Sequence, residues 1–275
     1  AIRKDGIPVG LIGMDGGHEK QIIKMAKEIA NHKEDLYDSM LVSYQGQLIF
    51  ESYYAHGRIN LPHYQMSATK AYTALLVGRA IQLGYLTMAD LNKPVSSFLK
   101  ELKPQKFVEG VKNITLHKAM TMSSGLDINW AEIKKLRKFP KQLKGQAMVQ
   151  AHFEHSAPIS LKTQIFSYKN VDATLIMQVI EAVVPGTAKA FMKKELLDKM
   201  DITVYRWGTD VSGLPTAPYG SSMTSRDMVK WGTLTINKGK WQGEQLISVD
   251  FINKMLSKVA ESDVVNNSYG YFWWR

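Results

Sequence analysis

The sequence contains no cysteine. That absence removes disulfides, a thiol nucleophile, iron–sulfur clusters and thiolate zinc sites together. It leaves the compartment open, because a cysteine-free chain tolerates either redox environment. Long apolar runs are missing too: stretches such as residues 71–77 are far too short to span a bilayer. No G-x-S-x-G elbow, G-x-G-x-x-G turn or P-loop occurs, so an α/β-hydrolase, a dinucleotide fold and a nucleotide-phosphate loop lack support. Internal repeats and low-complexity tracts are absent as well. The chain begins at Ala1 with no apolar signal-like segment, which reads as a processed or trimmed end.

What is present is ordinary globular material. The 275 residues are 45% hydrophobic and 22% charged, enough for a substantial core and against general disorder. Net charge is +10, from 35 Lys and Arg against 25 Asp and Glu. Six of the basic residues fall between Lys134 and Lys144. An anion-binding patch is one reading of that run, but Phe139 is the single aromatic within it and no nucleic-acid fold signature accompanies it. A solvated helix face with its loop is the expected outcome.

Periodicity predicts an amphipathic helix over residues 19–33, then a β-hairpin from residues 39–44 and 48–54 around Gln45-Gly46-Gln47. A helix followed by a hairpin suggests a helix packed on an antiparallel sheet. Residues 68–83 give the clearest helix, with Gly84 at its C-terminal end. Further helices are expected over 114–122, 171–183, 191–200 and 225–234. Thr87…Asp90 and Thr224…Asp227 have capping-box spacing. Residues 269–274, rich in aromatics, have strand character.

Chemistry enters with Ser67-Ala68-Thr69-Lys70. A serine hydroxyl needs a base within hydrogen-bond reach to attack at neutral pH. Positions i and i+3 of a helix share a face, so Ser67 and Lys70 can touch where the helix begins. Positive potential at the helix N-terminus disfavours an ammonium and favours an oxyanion. With 19 Ser and 28 Lys, about two S-x-x-K matches arise by chance. There are two, Ser67…Lys70 and Ser97…Lys100. Context separates them: Ser67 opens a helix expected to be buried, whereas Ser97 sits in a charged, proline-flanked stretch expected at the surface. Tyr168-Lys169-Asn170 is the second element, a phenol able to shuttle a proton with an amide able to hold the lysine or a substrate. A partly buried tyrosine and an N-cap asparagine explain the same residues structurally. His152 and His155 form a conceivable metal pair, but H-E-x-x-H spacing and a third ligand are missing, which favours a satisfied or solvent-facing pair. Asp90, Asp127 and Asp227 are possible triad acids, although capping accounts for Asp90 and Asp227.

Six strings occur in order: His63–Lys70 after the hairpin; Met122-Ser123-Ser124-Gly125-Leu126-Asp127; Phe166–Asn170; Met223–Met228; Trp231-Gly232; and Tyr269–Trp274. Together they resemble the class C β-lactamase-related branch of the penicillin-binding-protein and serine β-lactamase superfamily. Within it they are similar to the 6-aminohexanoate-dimer hydrolases and family VIII carboxylesterases, from about Leu41 onward. The resemblance implies an α+β fold, an antiparallel sheet flanked by helices plus a mainly helical lobe. Residues 1–275 would form one catalytic domain, with 1–66 and 231–275 in the sheet lobe and 67–230 in the helical lobe. It implies Ser67 as acylated nucleophile, Lys70 as base or proton relay, Tyr168 as the tyrosine that moves a proton to the leaving group, and Asn170 as a substrate contact. The backbone N–H of Ser67 would be one oxyanion donor.

The implied activity is a serine hydrolase acting on a small ester, amide or peptide. No metal or organic cofactor, no nucleic acid and no membrane span are expected. A β-lactamase, a D-amino-acid peptidase and, from another class, a non-catalytic relative binding an envelope polymer or partner through residues 134–144 are the alternatives. The non-Met start and the lack of cysteine fit a periplasmic or secreted protein, and equally a trimmed cytoplasmic one. The family also carries a K-T-G or H-x-G motif on a strand after the segment matching Tyr269–Trp274. The chain stops at Arg275 without it. An isolated 1–275 polypeptide is therefore expected to fold poorly and catalyse weakly, its C-terminal strands lying in a further piece of chain.

Overall fold

In the computed structural model, residues 3–13, 18–32, 36–262 and 267–274 are described. Helix α1 (Glu19–Ala30) comes first, and the expected helix end at Lys33 lies outside the described residues. Strands β1 (Ser39–Tyr44) and β2 (Gln47–Tyr53) pair antiparallel from Ser39↔Tyr53 to Tyr44↔Gln47. Gln45 and Gly46 both take positive φ, 48° and 78°, the twist that a two-residue hairpin turn needs. Short β3 (His63–Tyr64) leads into α2 (Ala68–Gln82).

Helix α2 is the centre of the molecule. Residues from Thr69 to Ala80 are buried on nearly every side, which an amphipathic surface helix would not be. Gly78 explains how residues 247–251 approach so closely: a Cβ there would stand 2.5 Å from the Phe251 ring and 2.6 Å from Ile247 Cγ2. Short 3-10 turns follow, one of them closed by the expected reciprocal box between Thr87 and Asp90. Then come α3 (Leu116–Met120), α4 (Trp130–Arg137), α5 (Ala147–Glu154), α6 (Asn170–Val183) and α7 (Ala188–Met192). Helix α6 is buried from Val171 to Ile180 and packs against α2 and α3.

Strands β4 (Tyr205–Trp207) and β5 (Ser221–Met223) join β3 in an antiparallel sheet ordered β3-β5-β4. His63 opposes Met223 and Tyr64 opposes Ser222, so the entry to α2 is held on β5. Helix α8 (Ser225–Ile236) is next, its Thr224 cap accepting from Asp227 N as the spacing predicts. The remaining elements are β6 (Lys240–Trp241), β7 (Glu244–Gln245), α9 (Val249–Met255), β8 (Ala260–Ser262) and β9 (Asn267–Tyr269). Every ladder between named strands is antiparallel, in keeping with an α+β fold.

Three expectations need correction. The helix expected over 114–122 is only Leu116–Met120, because Thr115 caps it and Met122 turns left-handed at φ 55°. The one expected over 191–200 starts at Ala188 and loosens into a π turn and a 3-10 turn after Met192. Residues 269–274 are not a strand: β9 ends at Tyr269 and the chain doubles back, Gly270 N donating to Trp273 O at 2.9 Å. Phe272 there has φ 57°, and a Cβ on Gly270 would meet Met255 O at 2.1 Å. The aromatics that suggest a strand serve packing instead, with Tyr269 and Tyr271 buried.

The basic run is a solvated face. Helix α4 buries only Ile133, and Lys135 pairs with Glu132 at 2.6 Å. Among the described residues no single helix is long and apolar enough to cross a membrane.

Candidate active site

Ser67 is the N-cap of α2, with helical φ −71° and ψ −9°. Met66 before it is left-handed at φ 47° and 60% exposed. That conformation costs a residue other than glycine on the order of 1 kcal/mol or more, and strain of this kind gathers at functional sites. It turns the chain from β3 onto the helix and leaves Ser67 exposed at the surface. Ala68, Thr69 and Lys70 N–H groups donate to Gln65, Met66 and Ser67 carbonyls, while Ser67 N–H donates to no backbone carbonyl among the described residues.

Lys70 lies one turn on and is fully buried. Its Nζ donates to Ser67 Oγ at 3.0 Å and to Pro218 O at 2.8 Å. The second acceptor is held in place by a strip of contacts along α2. Thr73 Oγ1 donates to Ala217 O at 3.2 Å, and Thr69 Oγ1 meets Ser221 Oγ at 2.7 Å. Burial in this seam pulls the Lys70 pKa from 10.5 down to about 8. A neutral amine there has a lone pair to turn toward Ser67 and an N–H left for Pro218.

Tyr168 comes in from the irregular stretch before α6. Lys70 Nζ stands 4.8 Å from its ring centre. The ring is stacked on Trp274 at 5.7 Å and 23°, and it meets Tyr269 edge-on at 6.2 Å. Serine, lysine and phenol thus converge. Ser67 and Tyr168 line one cavity of about 450 Å³ together with Tyr72, Trp231, Trp273 and Trp274. A second cavity of about 750 Å³ opens on the Asn170 side of Tyr168, walled by Trp130, Lys169 and Tyr219. A larger groove of about 1060 Å³ runs along α1 and holds none of these residues.

The structure does not make Asn170 the N-cap that a structural reading of the sequence expects. It is the first residue of α6, with Lys169 as N-cap, and it faces the second cavity while Lys70 is served by Pro218. Lys169 is turned away, its Nζ donating to Leu126 O. Ser97 is exposed and donates to Pro94 O at 2.7 Å, in a 3-10 turn rather than at the head of a buried helix. His152 is neither satisfied nor solvent-facing: it is buried, its Nδ1 has no partner, and burial followed by the Arg137 charge holds its pKa down at about 4. No group of three or more potential metal-ligating side chains occurs among the described residues.

Two contributors carry no signal in the sequence. Pro218 acts through its carbonyl, which no residue type announces, and Trp274 sits in a string whose composition points to a strand. Asp172 is a third surprise. An acid in the first turn of a helix is ordinarily solvated, yet this one is completely buried.

Against known proteins, the Beta-lactamase family profile matches residues 36–275. Among solved structures, the chain is similar to a Bacillus anthracis protein designated a 6-aminohexanoate-dimer hydrolase. The TM-score is 0.69 at 18% identity, over 99% of this chain and 71% of that one. It is also similar to an octameric penicillin-binding protein homologue from Pyrococcus abyssi, with TM-score 0.65, 18% identity, 92% of this chain and 64% of that one. A D-stereospecific amidohydrolase from Streptomyces matches with TM-score 0.62 and 16% identity, over 82% of this chain and 74% of that one. At such identities the likeness is one of fold. A search of curated proteins finds no match.

Proposed function

Because the chain belongs to the beta-lactamase family, we propose that it is a serine hydrolase cleaving an ester or amide through an acyl-enzyme on Ser67. The observation that carries this reading is the 3.0 Å contact between Ser67 Oγ and Lys70 Nζ, made by a fully buried lysine. In its neutral form Lys70 accepts the Ser67 proton as Oγ bonds to the substrate carbonyl carbon. The carbonyl oxygen becomes an oxyanion beside the uncommitted Ser67 N–H and the start of α2. When the tetrahedral intermediate collapses, the bond to the leaving alcohol or amine breaks, and Tyr168 passes that group a proton drawn from Lys70. Water then adds to the ester on Ser67 by the reverse relay and releases the acid.

Asn170 contributes from the second cavity, where its amide can hold a substrate carbonyl or N–H. The aromatic walls around Ser67, including Trp231 and Trp273, favour an apolar acyl or leaving group. We place the protein in the periplasm or outside the cell, a location that its cysteine-free sequence permits.

A fluorophosphonate probe tests the assignment. Wild type and Ser97→Ala are expected to label equally, and Ser67→Ala not at all. Equal labelling of the two alanine variants overturns it. Short p-nitrophenyl esters then report turnover, and nitrocefin separates a true β-lactamase from an esterase or amidase.

A further inference from the structure

Asp172 is a buried carboxyl group that the proposed chemistry does not use. It is the third residue of α6, and none of its surface reaches solvent. Its Oδ1 accepts from Ser124 Oγ at 2.5 Å, while Oδ2 has no partner. A carboxylate with an unpartnered oxygen is expensive to bury, and an apolar residue of similar size would avoid that cost. Perturbed buried groups of this kind gather near functional sites. Its location gives the cost a purpose.

Ser124 belongs to the loop of residues 122–126, and that loop grips the chain on both sides of Tyr168. Ser167 N donates to Met122 O at 2.8 Å, and Lys169 N to Met122 Sδ at 3.5 Å. Lys169 Nζ donates to Leu126 O, and Leu126 N donates back to Ser124 Oγ at 3.2 Å. Met122 holds its own turn in a left-handed conformation at φ 55°. Loop and Tyr168 segment are therefore laced together, and the Ser124–Asp172 contact is the buried end of the lacing. The ring of Tyr168 meets that of Tyr269 edge-on, with centroids 6.2 Å apart.

We propose that Asp172 is a positioning residue: through Ser124 it clamps the 122–126 loop to the first turn of α6 and so holds Tyr168 beside Lys70. The inference rests on the reading of Tyr168 as the proton carrier. Asp172→Ala and Ser124→Ala each remove the clamp, whereas Asp172→Asn keeps an acceptor for Ser124 in a side chain of the same shape.

Two measurements on the full chain decide the matter. Hydrogen exchange read by mass spectrometry is expected to quicken at least tenfold in peptides covering 122–126 and 166–172 of both alanine variants. Peptides of α2 should not change, and Asp172→Asn should exchange no faster than wild type. Hydrolysis of a p-nitrophenyl ester is expected to lose at least fivefold in kcat with KM within twofold in both alanine variants, and Asp172→Asn should restore it. Unchanged exchange in Ser124→Ala overturns the clamp, and this variant decides should Asp172→Ala not fold. Faster exchange with an unaltered kcat overturns the link to Tyr168. A wild type without Ser67-dependent turnover would count against the hydrolase reading instead, and exchange alone would then decide the clamp.

Discussion

The pH dependence of acylation is the sharpest consequence of the Lys70 environment. Burial lowers the Lys70 pKa to about 8, and the form able to accept the Ser67 proton is the neutral one. Lowering the pKa of a base-forming group raises its neutral fraction at a given pH, so the rate must climb with pH. For a pKa of about 8 the neutral fraction is roughly 1% at pH 6, 10% at pH 7 and 90% at pH 9. Second-order acylation by a p-nitrophenyl ester, with the Ser67→Ala rate subtracted, should rise about tenfold per pH unit up to pH 7 and level off near pH 9. Lys70→Arg keeps a cation at the same place but cannot release a proton in this range. Its rate should stay at the floor throughout. Contact with the Tyr168 face favours the ammonium and shifts the midpoint upward, not downward. A flat wild-type profile between pH 6 and 9 would refute the role of Lys70, as would an arginine variant retaining more than a tenth of the rate. A limb centred near 10, where an ordinary phenol titrates, would move the base to Tyr168.

Other perturbations test separate parts of the structure. Tyr168→Phe keeps the stack on Trp274 and the face toward Lys70 but deletes the proton carrier; kcat should drop about a hundredfold or more while the thermal midpoint barely moves. Asp172→Asn should stabilise the fold at alkaline pH. Burial raises the Asp172 pKa from 3.8 to about 7, so the native state keeps a proton that the unfolded chain has released. Wild-type stability therefore falls relative to the variant between about pH 4 and pH 7, by at most roughly 4 kcal/mol above that window. Urea melts at pH 4 and pH 8 give the difference, and equal gaps at the two pH values would contradict it. Gly78→Ala forces a methyl to 2.5 Å from the Phe251 ring and should cost about 1–3 kcal/mol in the same melts, a loss that a neutral result would rule out.

How much of the molecule is legible in its sequence depends on the distance over which each interaction acts. Ser67 and Lys70 are legible because their meeting is local: three residues along a helix bring the two side chains together whatever surrounds them. The caps at Thr87…Asp90 and Thr224…Asp227 are legible for the same reason: the first forms the full reciprocal box, and at the second the Thr224 side chain accepts from Asp227 N. Choosing Ser67 over Ser97 needs only the apolar length of the helix that it opens. The hairpin turn at Gln45-Gly46 announces itself by composition. Residues 269–274 mislead because aromatics suit a strand and a buried turn equally, and only Met255 O pressing on Gly270 decides between them. Pro218 contributes a carbonyl, and carbonyls have no identity in a sequence.

The same division runs through the chemistry itself. A one-turn spacing supplies the hydroxyl and the amine, but an exposed lysine at that spacing would stay protonated at neutral pH. Burial is what lowers its pKa, and the burial comes from elsewhere in the chain: the 217–221 strip fastened by Thr69 and Thr73, and the ring of Tyr168 held against Trp274. Residues 67–70 therefore name the groups of the proposed chemistry without deciding whether they can react. The second S-x-x-K match makes the point, for Ser97 and Lys100 have the same spacing and both remain exposed. Grafting the four residues 67–70 onto an exposed helix should accordingly reproduce the contact and not the lowered pKa.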